Sequence, residues 1–225
     1  MKYAFFDVDY TLYDSYLSSD FSDFLVAEGH VPKTVAEEEK ALKKAFVSGE
    51  IGYREAVERA LQIHAACIKD RSVQEVEVWG REFITRQDRL FPWVREGLKH
   101  LKEQGYAICL ISASPITALE PVAEIIGADK VFGTALTIQN GIYTGGVETI
   151  LNYEEKHRLV ESLVTKTLGD FHVGFGDSAG DVDMLSHMDK AVLHEPKGQE
   201  LLNLAAEKGW EVTDRNGMLQ VIHIL

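Results

Sequence analysis

Tyr3-Ala4-Phe5-Phe6 is an apolar run with no polar interruption, the pattern of a strand covered on both faces of a parallel sheet. From about residue 16 to residue 89 the period changes. Phe21, Phe24 and Leu25 lead to a stop at Gly29, and the segment 35–47, rich in Ala, Glu, Lys and Leu, ends at Gly49. Tyr53, Ala56, Val57, Ala60, Leu61 and His64 then fall at helical spacing, followed by residues 73–83. This stretch predicts a bundle of about four helices. From Phe91 onward helices and short apolar runs alternate. Pro92 opens a helix to Glu103, residues 106–112 read as a buried strand, and Ser114-Pro115 caps and opens a helix to about residue 126. Residues 136–144 read as a hairpin turning at Asn140-Gly141. A helix over about 153–167, strands at 171–175 and 191–193, a helix over 199–208 and a strand at 210–212 complete the pattern. It predicts an α/β fold, a doubly wound and mostly parallel sheet with a helical block inserted after the first strand.

Composition narrows the function classes. The chain has 225 residues, 45% hydrophobic and 26% charged, as in an ordinary globular protein. A formal net charge of −13 argues against nucleic acid or an anionic membrane as the main partner. It also means that an anionic substrate needs locally concentrated positive charge. Cys67 and Cys109 make no metal or redox motif, and Cys109 sits in an apolar run, as a small core residue does in a reducing compartment. No segment reaches the roughly 18 apolar residues of a spanning helix, and residue 2 onward enters a strand directly, so a cytoplasmic location is expected.

The candidate chemistry begins where the first strand ends, at Asp7-Val8-Asp9-Tyr10-Thr11. Two carboxylates at such a spot repel one another unless a cation or a shared proton offsets the cost, although a polar turn after a strand has the same look. Ser112 closes a buried strand before a helix N-terminus, where free backbone N–H groups favour an anion. Lys156 lies in the first turn of a helix, against the helix dipole; a solvated surface lysine is the plain alternative. Asp177 ends the next strand, and Asp181 follows in the first turn of a helix capped near Ser178, where it also has a simple helix-start role. His157, His172 and His187 lack partners at metal-ligand spacing, and Trp79, Trp93 and Trp210 read as packing residues.

In chain order these groups resemble the four motifs of the haloacid dehalogenase superfamily of phosphatases: Asp-x-Asp-x-Thr, a strand-terminal Ser or Thr, a Lys, and Gly-Asp-x-x-x-Asp. The stretches 111–115 and 140–145 resemble its phosphoserine phosphatase branch in particular. The resemblance implies a catalytic core of residues 1–15 and 91–225 with a helical cap of residues 16–90. It implies Asp7 as nucleophile, Asp9 as general acid and base, and Ser112 and Lys156 as phosphoryl ligands. It further implies Mg²⁺ held by Asp7, the Asp9 carbonyl, Asp177 and Asp181, the family spacing favouring Asp181 over Asp183. Thr11 and Ala113 complete the substrate surround. The expected partner is a small phosphorylated metabolite; phosphoserine and histidinol phosphate are the named alternatives. A phospho-acceptor signalling module is the reading from another class, disfavoured by Asp9 and by the helical insertion. The chain departs from authentic phosphoserine phosphatases at two cap positions. Tyr16 stands where they carry a Glu nine residues after the nucleophile, and gapless matching puts Ala60 in place of a cap arginine, with Arg59 adjacent. Tyr16 and Arg59 are therefore the expected cap contacts, with Asp14 and Asp20 the acids nearest to Tyr16.

Overall fold

The computed structural model describes residues 1–167 and 169–225, the side chains of Tyr53 and Tyr153 excepted. The strands are β1 (Lys2–Phe6), β2 (Tyr106–Pro115), β3 (Lys130–Gln139), β4 (Ile142–Thr149), β5 (Val173–Gly176), β6 (Lys190–His194) and β7 (Glu211–Thr213). Among the described residues they form one sheet in the order β4-β3-β2-β1-β5-β6-β7, parallel except for the β3–β4 hairpin. The chain works outward from β1 to β2 and β3, then returns to the other side of β1 for β5. The strand order thus reverses at β1, and open α/β sheets bind ligands at the carboxyl ends of the strands at such a reversal.

β1 is apolar throughout because both of its faces are covered. Ala4 and Phe6 join a core with Ile108, Leu110 and Phe175, while Tyr3 and Phe5 join a second core with Cys109, Ile111 and Leu193. Phe6 stacks on Phe175 with ring centres 4.3 Å apart. Both cysteines are free and buried.

Four helices occupy the predicted insertion: α1 (Leu17–Ala27), α2 (Thr34–Val47), α3 (Tyr53–Cys67) and α4 (Val73–Arg86). The chain leaves and re-enters the sheet side by side, with Phe91 N–H donating to the Leu12 carbonyl at 3.0 Å and Asp14 N–H to that of Arg89 at 2.9 Å. α1 and α4 send Phe21, Phe24 and Phe83 into the same core as Ala4 and Phe6. α2 is different: among its described residues only Leu42 is buried, and it packs on α3. After the insertion come α5 (Val94–Glu103), α6 (Ile116–Ile126), α7 (Tyr153–Thr165), α8 (Val182–Leu185), α9 (Gln199–Lys208) and α10 (Met218–His223). No helix among the described residues is long and apolar enough to cross a membrane.

Three local expectations need correction. β3 begins at Lys130, well before residue 136, and pairs in parallel with β2 before turning into the hairpin; Gly133 and Thr134 interrupt the apolar pattern that would have marked it. The hairpin turn itself lies at Asn140 and Gly141, with φ of 52° and 77°, the left-handed values this turn requires. β2 runs on through Pro115, and α6 starts without a side-chain cap. Ser114, expected as that cap, is engaged elsewhere. α10, only six residues long, had no expectation.

Candidate active site

The turn after β1 is built on backbone hydrogen bonds. Asp7 N–H extends the ladder to the Phe175 carbonyl at 3.0 Å, and the Val8 carbonyl accepts from the N–H groups of Thr11, Leu12 and Tyr13 at 3.2, 2.9 and 3.0 Å. Tyr10 takes a left-handed φ of 57° to make this possible. Asp7 is thereby fixed at the sheet's reversal point and is buried. Lys156, four residues past the Asn152 that caps α7, is buried as well. Its Nζ lies 2.8 Å from Asp7 Oδ1 and 3.3 Å from Asp181 Oδ1. The other Asp181 oxygen, Oδ2, accepts from the N–H groups of Asp177 and Ser178 and from the Ser178 hydroxyl, at 3.1 to 3.2 Å. Gly176 permits this packing, since a Cβ there would stand 2.5 Å from that of Asp181. Asp183, the alternative acid, is exposed.

Carboxylate oxygens of Asp7, Asp177 and Asp181 lie within 4.8 Å of one another. Burial, then the neighbouring Asp181, push the Asp7 carboxyl well above its usual range, against the pull of Lys156. Asp177 is pushed up to about 8 by burial and by Asp181 and Asp9. One lysine does not neutralise this many acids. An all-oxygen donor set that resists ionising together fits a hard divalent cation.

Asp9 has its own environment. Its Oδ1 accepts from Leu17 N–H, at the start of α1, at 2.8 Å, and its Oδ2 from the Ser114 hydroxyl at 3.0 Å. Burial raises its carboxyl to about 6, and these two hydrogen bonds restrain the rise. Ser112 Oγ, also buried, accepts from Ser114 N–H at 3.1 Å. Ser114 was missed as a site residue. It follows Ser112 by two positions, so strand alternation places both on one side of β2, a signal hidden by ending the strand at Ser112.

Asp7, Asp9, Ser112, Ala113, Lys156, Asp177 and Asp181 all line one cavity of about 120 Å³. Tyr16, 41% exposed, closes it from the insertion and meets Tyr10 edge-on with ring centres 5.0 Å apart. Arg54, Val57 and Glu58 of α3 complete the wall. Two expected substrate contacts lie off the wall. Arg59 is on the exposed side of α3, ion-paired with Glu55 at 3.5 Å. Thr11 is fully buried beneath the turn. Asp14 pairs with Arg215, and Asp20 with Arg89 and the Tyr13 hydroxyl. The sequence offered one sign of the α3 residues: Arg54, Val57, Glu58 and Leu61 share a helical stripe, from which Arg59 is rotated away.

The chain is 27% identical over 222 residues to a phosphoserine phosphatase of Archaeoglobus fulgidus, a match covering 97% of this chain and 59% of that protein, so it spans under two thirds of that relative's length. It is 26% identical over 187 residues to a phosphoserine phosphatase of Methanocaldococcus jannaschii, covering 81% of this chain and 80% of the other. A protein of unknown function from Bordetella pertussis Tohama I has the same fold, with a TM-score of 0.79 at 23% identity over 95% of this chain and 98% of its own. With a family model matching residues 4–186 across the β1 turn, the Ser112 strand, Lys156 and the Asp177–Asp181 loop, the chain belongs to the haloacid dehalogenase-like hydrolases.

Proposed function

We propose that this protein is a Mg²⁺-dependent phosphomonoester hydrolase of the cytoplasm, acting on a small phosphorylated metabolite through an aspartyl-phosphate on Asp7. Residues 1–15 and 91–225 form the catalytic core in this reading, and residues 16–90 a cap over it. The observation that carries it is the buried Lys156 ammonium 2.8 Å from the Asp7 carboxylate, with Asp9 two residues on in the same cavity. Lys156 draws in the dianion that the chain's net charge repels, and with Ser112 it holds phosphoryl oxygens. Asp7 attacks phosphorus, and the ester P–O bond breaks as Asp9 gives its proton to the departing oxygen. Asp9, now charged, takes a proton from the water that attacks the acyl-phosphate, which releases phosphate and restores Asp7. An Asp9 carboxyl raised to about 6 suits both duties near neutral pH. Mg²⁺ bound by Asp7, Asp177 and the Asp9 carbonyl, with Asp181 supporting, would neutralise charge around the transferring group.

A second reading narrows the substrate to phosphoserine. It is favoured by Arg54 and Glu58, a cation and an anion on the cavity wall that match a carboxylate and an ammonium. Turnover of phosphoserine, histidinol phosphate, phosphoethanolamine and small sugar phosphates with Mg²⁺ tests both. Hydrolysis should stop with a chelator and be inhibited by Ca²⁺, whose larger and less regular shell misplaces the nucleophile. Unimpaired turnover in excess chelator would remove the metal from the reading, and silence across the whole panel would remove the phosphatase.

A further inference from the structure

The cavity that holds Asp7 has a neighbour. A second cavity, of about 140 Å³, opens between α1, α2 and α3, and the two share Asp9, Tyr16, Val57 and Ala113 as walls. Beyond that shared wall the second cavity is bounded mainly by apolar side chains, Leu42 and Phe46 of α2 and Ala60 and Leu61 of α3, together with Glu39 and Lys43 of α2 and Ser18 and Ser19 of α1. Leu42 is buried, and Phe46 and Ala60 are partly exposed. The α2 acid on this wall, Glu39, is half-buried, and burial pushes its carboxyl up to about 7.

Asp9 stands at the junction, and the oxygen that leaves phosphorus must lie beside Asp9 to receive its proton. The organic part attached to that oxygen therefore starts at the junction. It can turn toward Arg54 and Glu58 or into the space between α2 and α3. We infer that the α2–α3 cavity is a leaving-group site for an apolar chain or ring, so that this enzyme prefers phosphomonoesters of apolar alcohols to those of charged ones. The inference rests on the phosphatase reading and specifies its substrate class. Each methylene moved from water into such a space improves binding by about fourfold at most.

The experiment has two arms on the Mg²⁺-loaded protein. In the first, kcat/KM is measured for methyl, butyl, pentyl and hexyl phosphate and for phosphoserine, on the natural chain and on Ala60→Phe, which fills the cavity. The pentyl-to-methyl ratio should be at least tenfold for the natural chain and fall to about one in Ala60→Phe, and phosphoserine should trail pentyl phosphate by tenfold or more. Because the ratio is internal to each protein, a general loss of folding or turnover in the variant cancels. In the second arm, calorimetry follows binding of the matching alkylphosphonates, which need no chemistry. Affinity that rises with chain length and loses that rise in Ala60→Phe supports the site. A flat series in calorimetry overturns the inference even where every ester is hydrolysed. A rising series with no turnover overturns the phosphatase reading and leaves the site.

Discussion

The sheet end and the inner face of the insertion line the same cavity, yet they are built on opposite terms. At the sheet end Asp7, Ser112, Lys156 and Asp181 are buried, and the acids are held by fixed partners. Lys156 bridges Asp7 and Asp181, and Asp181 also caps its own loop. On α3, Arg54 and Glu58 are exposed, and Tyr16 is 41% exposed. Groups that do chemistry need fixed geometry and a dry, charged setting, which only a rigid scaffold supplies. Groups that choose a substrate need only reach it, so nothing in the fold dictates their identity. The two walls should therefore respond differently to change.

The largest effect is expected at the sheet end. Asp7→Asn should abolish phosphoenzyme formation altogether, whereas Asp9→Asn should still be phosphorylated by an activated ester but turn over roughly 10²–10⁴-fold more slowly. Rapid quench separates the two; normal turnover in Asp9→Asn would break the contrast drawn between these neighbours. Next comes Lys156→Met, which leaves Asp7 and Asp181 facing each other without their shared cation. Removing one partner of a buried pair typically costs about 3–5 kcal/mol, and urea unfolding of the metal-free protein at pH 7.5 should show a loss of that order. Carboxyls already raised in the folded state bind protons more readily there than in the unfolded chain, so the deficit should shrink as the pH is lowered. A deficit that grows with acid would contradict the repulsion described here.

His64 tests how the insertion is attached. This fully buried α3 residue lies 2.9 Å from the Thr117 hydroxyl of α6, and burial lowers its pKa to about 4. The unfolded chain, with an ordinary value near 6.5, takes up a proton between those limits while the folded chain does not. Stability attributable to His64 is thus intact above about pH 6.5, falls through the window, and is lower by about 3 kcal/mol once the pH is below 4. His64→Gln should flatten the stability curve over pH 7 to 4 relative to the natural chain; parallel curves would refute it. The smallest effect belongs to the cavity's outer wall. Arg54→Ala should raise KM several-fold for a substrate with an anionic group beyond the phosphate, by roughly 1 kcal/mol, while Arg59→Ala should leave KM within twofold. The reverse ranking would restore the residue that sequence matching alone selects.

Legibility in the sequence followed the same division. The α/β alternation, the four inserted helices and the placing of Asp7, Ser112, Lys156 and Asp177 at one end of the sheet could all be read, because burial leaves uninterrupted apolar runs and strand ends locate themselves. The first half of β3 could not, since Gly133 and Thr134 break its pattern. Ser-Pro before a helix usually marks a cap, so the sequence points Ser114 to that role; here the strand runs on and the hydroxyl goes to Asp9. Matching without gaps points to Ala60 and its neighbour Arg59, whereas the orientation of α3 about its axis brings Arg54 to the cavity. The helical stripe of Arg54, Val57, Glu58 and Leu61 groups these residues, but which way it faces depends on packing of α3 against α1, α2 and β4.

The seclusion of Lys156 behind carboxylates has a consequence for encounter kinetics. A dianion approaching from bulk solvent meets a protein of net charge −13, and the lysine is felt only within the cavity. A protein whose outer surface attracts its ligand gains association speed from that field and loses it in salt. Here the far field opposes capture, so raising the ionic strength, which shortens the screening length from about 30 Å at 0.01 M to about 8 Å at 0.15 M, should hasten the meeting of enzyme and substrate instead of slowing it.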